Sequence, residues 1–160
     1  MNKAYLLLGG NIGDKNKNLK TAVEYIEKSI GKIVLRSSVY ETAPWGFSHE
    51  DFFLNQSLLV ATIKNPEELL QEILKIETAM GRKRGSEQWS SRIIDIDILF
   101  FNDIILETSD LKIPHPHLHK RKFTLLPLNE IAENFLHPVF KKSVSSLLSE
   151  CEDELYVRQC

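Results

Sequence analysis

The chain has 160 residues, of which 42% are hydrophobic and 26% charged, enough for one domain with a buried core. Lysine and arginine total 20 and aspartate and glutamate 22, so the formal charge is −2, which argues against a generally basic surface built to coat nucleic acid. Cys151 and Cys160 make neither a disulfide framework nor a zinc ribbon, and no apolar run has the length of a signal-peptide core or a membrane span; a reducing, cytoplasmic setting is expected.

Ala4 to Leu8 reads as a first, buried strand. Gly9-Gly10-Asn11-Ile12-Gly13-Asp14 follows as a glycine-rich turn that matches neither the P-loop nor the dinucleotide fingerprint. A helix is expected from about Lys17 to Ile30, with Leu19, Ala22, Val23, Ile26 and Ile30 at helical spacing and Gly31 as its stop. Ile33 to Tyr40 reads as a second strand and Leu54 to Ile63 as a third, with Leu58 and Val60 facing one way. The connection Thr42–Asp51 between them is long for a hairpin, and such loops are often functional. Asn65-Pro66-Glu67-Glu68 is a helix start: a capping amide, a proline at the first position and a glutamate to close a capping box. That helix should reach Met80 with Leu69, Leu70, Ile73, Leu74 and Ile76 on its stripe. Glu77 lies on the same stripe, either at the edge of the core or facing a site.

The next strand carries the chemistry. In Ile93-Ile94-Asp95-Ile96-Asp97-Ile98-Leu99-Phe100-Phe101, Asp95 and Asp97 share a face with Cα atoms roughly 7 Å apart. Ile94, Ile96, Ile98 and Phe100 are expected on the other. A D-x-D on a half-exposed strand is often only its solvent face. This strand is otherwise apolar, however, and buried carboxylates need compensation by metal or cations. Two carboxylates at this spacing suit a pair of Mg²⁺ ions working at phosphorus. Arg82, Lys83, Arg84 and Arg92 stand just upstream, and guanidinium forks match phosphate oxygens. Trp45, Phe47, Phe52, Phe53 and Trp89 offer flat surfaces for a flat heterocycle, and Asn55 an amide to read its edge.

Beyond that strand, Asn102-Asp103 reads as a tight turn and Ile104 to Leu106 as a short return strand. A helix is expected near Leu128 to Ala132 and another near Ser143 to Glu150. His115-Pro116-His117-Leu118-His119 leaves a zinc hydrolase open as a rival, and the basic loop with its aromatics leaves open a nucleic-acid-binding module. The order strand–helix–strand–strand–helix–strand matches an α+β, ferredoxin-like split βαβ sandwich, an antiparallel sheet with helices covering one face and the site on the other face or in the loops above it.

Nearly the whole chain resembles the 6-hydroxymethyl-7,8-dihydropterin pyrophosphokinases of folate biosynthesis. The resemblance runs through Leu8-Gly9-Gly10-Asn11-Ile12-Gly13-Asp14, Tyr40-Glu41-Thr42-Ala43-Pro44-Trp45-Gly46, Phe53-Leu54-Asn55-Gln56 and Gly81-Arg82-Lys83-Arg84. Its most specific stretch is Trp89-Ser90-Ser91-Arg92-Ile93-Ile94-Asp95-Ile96-Asp97-Ile98-Leu99, and it continues through Ile113–Phe123, Leu126–Ala132 and His137-Pro138. The chain departs from the family pattern at Gln88, Ser90 and His117. The resemblance implies a single catalytic domain acting on ATP and the pterin; a monomer is expected, and charge and hydropathy lead to the expectation of no nucleic-acid and no membrane partner. It implies two Mg²⁺ ions held by Asp95 and Asp97, and Arg82 and Arg92 on the phosphoryl oxygens in the transition state. It places the pterin against Thr42, Ala43, Pro44, Trp45, Phe53, Asn55 and Phe123. It places ATP against Leu70, Glu77, Arg84, Trp89, Ile98, Lys112, His115 and Arg121, with the loops Thr42–Asp51 and Arg82–Ser91 closing over both.

Overall fold

The computed structural model describes residues 1–42, 52–81 and 93–160. The first half alternates strands and helices: β1 (Asn2–Gly10), α1 (Lys15–Ser29), β2 (Lys32–Arg36), β3 (Tyr40–Thr42), β4 (Phe53–Thr62), α2 (Pro66–Ala79) and β5 (Asp95–Phe101). Then come β6 (Leu106–Glu107), β7 (Lys112–Ile113), α3 (Lys122–Ala132), α4 (Val144–Glu150) and β8 (Val157–Gln159). The main sheet is antiparallel in the order β5-β1-β4-β3-β8, and β2 pairs with another stretch of β4.

The helix ends follow the residues that cap them. Asp14 accepts from Lys17 N at 3.1 Å, so α1 begins two residues before the expected start. Asn65 accepts from Glu68 N and Glu68 from Asn65 N, the full capping box, worth about 1 kcal/mol. Gly9 and Gly10, read in sequence as part of the turn, lie inside β1. Of the three glycines in that stretch, Gly13, at φ +71°, uses the left-handed freedom of glycine.

Helices cover both faces of the sheet, which corrects the expectation of one covered face. On one side Leu6, Leu8, Leu58, Val60, Ile96 and Ile98 pack against Leu19, Val23 and Ile26 of α1 and Leu69, Ile73 and Ile76 of α2. On the other, Leu7, Leu99 and Phe100 pack against Leu125, Leu128, Val144 and Leu147 of α3 and α4. Phe100 therefore leaves the row of Ile94, Ile96 and Ile98, contrary to strict alternation. Leu6 pairs with Ile98 and Tyr5 with Phe100, so β5 holds one extra residue, a bulge that switches the face of everything after it.

Other departures have local causes. The single expected strand Ile33–Tyr40 is two, because the chain between β2 and β3 is taken up by α3: Ser38 N and Oγ both donate to the Glu130 carboxylate, at 2.8 and 2.7 Å. β6 begins at Leu106 and pairs with β7 instead of returning along β5. α3 starts at Lys122, well before Leu128. Arg121 gives it no side-chain cap and Pro127 sits within it, so neither start nor interior shows a helical signature.

Candidate active site

Strand register assembles the site. Gly9 pairs with Asn55 on one side and with Asp95 on the other, and Leu7 pairs with Ser57 and Asp97. Side chains level with one another across a sheet point to the same face. Asn55, Gly9 and Asp95 thus form one row and Leu7 and Asp97 the next, all on the α3 side. Phe53, two residues from Asn55, joins them opposite Thr42 of β3.

A cavity of about 240 Å³ opens over these rows, lined by Leu7, Gly9, Thr42, Phe53, Asn55, Asp95, Asp97, Arg121, Phe123 and Leu155. Asn55 is buried, and its Nδ2 donates to Thr42 Oγ1 at 3.2 Å. A Cβ on Gly9 would lie 2.5 Å from Asn55 Oδ1, so the bare backbone there makes room for the amide. Phe123 stands at the start of α3 with the Arg121 guanidinium 5.7 Å from its ring centre.

A second cavity, about 320 Å³, is lined by Leu70, Ile96, Asp97, Ile98, Ser109, Asp110, Leu111, Lys112, His115 and Pro116. Burial first, then the charges of Arg121 and His117, push the His115 imidazole down to about 4, so it is neutral at pH 7. Its Nδ1 accepts from His117 N at 3.1 Å, which leaves Nε2–H as the donor. Asp97 borders both cavities.

Thr42, Phe53, Asn55 and Phe123 come together in the first chamber, and Leu70, Ile98, Lys112 and His115 in the second. Arg121, expected beside the nucleotide, lines the first. Glu77 is outside both linings: it is buried behind β5 and its Oε2 accepts from Ile96 N, between the two aspartates, at 2.9 Å. Ala43, Pro44, Trp45, Arg82, Arg84, Trp89 and Arg92 lie outside the described residues, as do the loops meant to close over the site beyond Thr42. Among the described residues, no three His, Cys, Asp or Glu side chains gather as a metal cluster. The rings of His115 and His117 are 6.0 Å apart, and that of His119 packs on Phe140 at 4.7 Å.

Leu7, Gly9 and Leu155 of the first lining, and Ile96, Ser109, Asp110, Leu111 and Pro116 of the second, are not among the residues the sequence reading assigns to the site. Leu7 and Gly9 needed the register of β1 against β5. For Leu155 there was a signal, the alternation Cys151-Glu152-Asp153-Glu154-Leu155-Tyr156-Val157-Arg158, which is extended rather than helical.

Fold and site together describe an α+β domain with an acidic strand end between an apolar chamber and a polar one. Comparison with known proteins gives this class a family. The family model of 7,8-dihydro-6-hydroxymethylpterin-pyrophosphokinase (HPPK) matches residues 5–133. The 2-amino-4-hydroxy-6-hydroxymethyldihydropteridine pyrophosphokinase of Aquifex aeolicus is 41% identical over 150 residues, 94% of this chain and 92% of that protein. Its namesake from Methylorubrum extorquens is 42% identical over 137 residues, 85% of this chain and 86% of that one. Among solved structures, an HPPK-DHPS chain of Plasmodium falciparum superposes with a TM-score of 0.75 at 24% identity, a likeness of fold; the match covers 94% of this chain and 43% of that longer one. The chain belongs to the HPPK family.

Proposed function

We propose that the apolar chamber receives 6-hydroxymethyl-7,8-dihydropterin and the polar chamber ATP, with transfer at their junction. The reaction is that of the family, pyrophosphate transfer from ATP in folate biosynthesis. The observation that carries the assignment to the two chambers is the position of Asp97, which borders both.

The oxygen of the pterin hydroxymethyl group forms a bond to the β-phosphorus of ATP. The bond from that phosphorus to the α–β bridging oxygen breaks, AMP leaves, and the hydroxyl proton passes to solvent. Asp95 and Asp97 present carboxylates on one face, both in the lining of the first chamber and Asp97 also in that of the second. A donor set of one or two carboxylates, completed by water and substrate phosphates, suits Mg²⁺. Two Mg²⁺ ions bound there would supply charge neutralisation on the triphosphate. Arg82 and Arg92 are assigned by resemblance to the phosphoryl oxygens. Phe53 and Phe123 hold the ring, and Asn55, oriented by Thr42 and given space by Gly9, reads its edge. On the other side, neutral His115 donates through Nε2–H and Lys112 supplies charge.

The strand order β5-β1-β4-β2 supports a ferredoxin-like core for the first hundred residues. The family model and the relatives span most of the chain, which supports a single catalytic domain. No helix among the described residues is long and apolar enough to cross a membrane. A compartment that supplies ATP, the cytoplasm in this reading, completes the proposal. The test is AMP release by the purified protein with Mg²⁺, with and without the pterin. Pterin-dependent AMP is expected; AMP formed equally without the pterin would refute the transfer.

A further inference from the structure

The C-terminal segment lies beyond residues 5–133, which the family model covers, yet it reaches the site. Cys151, Asp153, Leu155 and Val157 are half-buried, and Glu152, Glu154, Tyr156 and Arg158 between them are exposed, the pattern of an extended chain laid on the protein with one face inward. The segment is fastened at its end: β8 pairs with β3, placing Val157 opposite Thr42, Arg158 forms an ion pair with Glu41, and Cys160 N donates to Val39 O at 2.8 Å.

Asp153 joins this segment to the helix that carries Phe123. One carboxylate oxygen accepts from Lys122 N at 3.0 Å, at the start of α3 where Arg121 provides no side-chain cap; the other accepts from Leu155 N at 2.9 Å. The carboxylate thus satisfies a helix N-terminus, where negative charge is favoured, and fixes the backbone of Leu155 beside Phe123. Leu155 then lines the apolar chamber together with Phe53 and Phe123.

Resting on the pterin reading of that chamber, we propose that the C-terminal segment forms one of its walls, with Leu155 a substrate-contact residue that sets the size of heterocycle admitted. Asp153 is a positioning residue that holds Leu155 and Phe123 in register. Part of the specificity of the site therefore lies in the last ten residues of the chain, far in sequence from Asp95 and Asp97.

The test is equilibrium binding of 6-hydroxymethylpterin to the full chain in the presence of Mg²⁺ and a non-hydrolysable ATP analogue. Leu155→Ala should weaken pterin binding roughly tenfold through lost apolar contact. Leu155→Trp, which fills the chamber, should weaken it at least as much, roughly a hundredfold. Affinity for the ATP analogue alone should not change in either. Asp153→Ala should weaken the pterin several-fold, whereas Asp153→Asn, whose amide oxygen still accepts one N–H, should restore much of the loss. Pterin binding by the wild type together with unchanged affinity in both Leu155 variants would overturn the role of the tail and leave the function standing. Absence of pterin binding by the wild type would overturn the function and the proposal with it.

Discussion

The two chambers share Asp97 and differ in almost everything else. The first is walled mainly by Leu7, Phe53, Phe123 and Leu155, with the buried amide of Asn55 and the Thr42 hydroxyl among them and Arg121 and Asp95 as its other charged groups. The second presents Ser109, Asp110, Lys112 and His115 around Leu70 and Ile98. Apolar walls with a single oriented amide suit an uncharged flat ring, whose binding comes from area and whose selection comes from one hydrogen-bonding edge. Polar walls with a cation suit a charged nucleotide whose phosphates stay partly hydrated. On the proposed assignment, the difference means that the two substrates are recognised by different physics and meet at Asp97.

The largest expected effect breaks the junction itself. Asp97→Ala should lower pterin-dependent AMP formation about 10³-fold or more, with a melting temperature close to that of the wild type. Retained turnover in this variant would remove Asp97 from the chemistry. Next, Phe123→Ala and Lys112→Ala separate the chambers. The first should weaken pterin binding roughly thirtyfold and leave ATP alone; the second should weaken ATP several-fold and leave the pterin alone. Both variants damaging both ligands would show that the chambers are one site. Gly9→Ala comes third. Its methyl must displace the Asn55 amide, so the KM for the pterin should rise roughly tenfold with that for ATP unchanged.

The smallest effect is on stability. Burial, with nearby positive charge, lowers both His115 and His137 from 6.5 to about 4. Between those values the unfolded chain binds protons at these positions and the folded chain does not, so stability is full above about pH 6.5 and is lost as pH falls towards 4. His137 Nδ1 accepts from Val139 N and Phe140 N, both at 3.1 Å, bonds that protonation removes. Thermal melts from pH 7 to 4.5 should show a fall of roughly ten degrees. His137→Asn, which keeps an acceptor and cannot titrate, should flatten part of the slope; an unchanged slope would place the loss elsewhere.

Part of this arrangement is local in the sequence. Asp95 and Asp97 share a face because a strand alternates, and Asn65 with Glu68 closes its capping box because both partners lie within one turn. Phe100 was misplaced because a bulge changes parity, and a bulge depends on the partner strand, β1. α3 was read too short because its cap comes from Asp153, thirty-one residues downstream. Glu77 stood on an apolar stripe with two readings open. Its bond to Ile96 N ties it to the frame of the acidic strand, between the aspartates rather than in either cavity.

By itself the sequence determined what is set over a few residues: the alternation in β5 from Asp95 to Ile98, the apolar stripes and caps of α1 and α2, and the acidic pair with the cations upstream of it. Dihedral preference, side-chain period and capping act at that range. Only the tertiary structure decided which rows meet. It set Gly9 between Asn55 and Asp95, made Asp97 common to two cavities, and put Leu155 into the same cavity lining as Phe123. Strand register and long-range caps join residues that are far apart along the chain, and no local pattern encodes the partner.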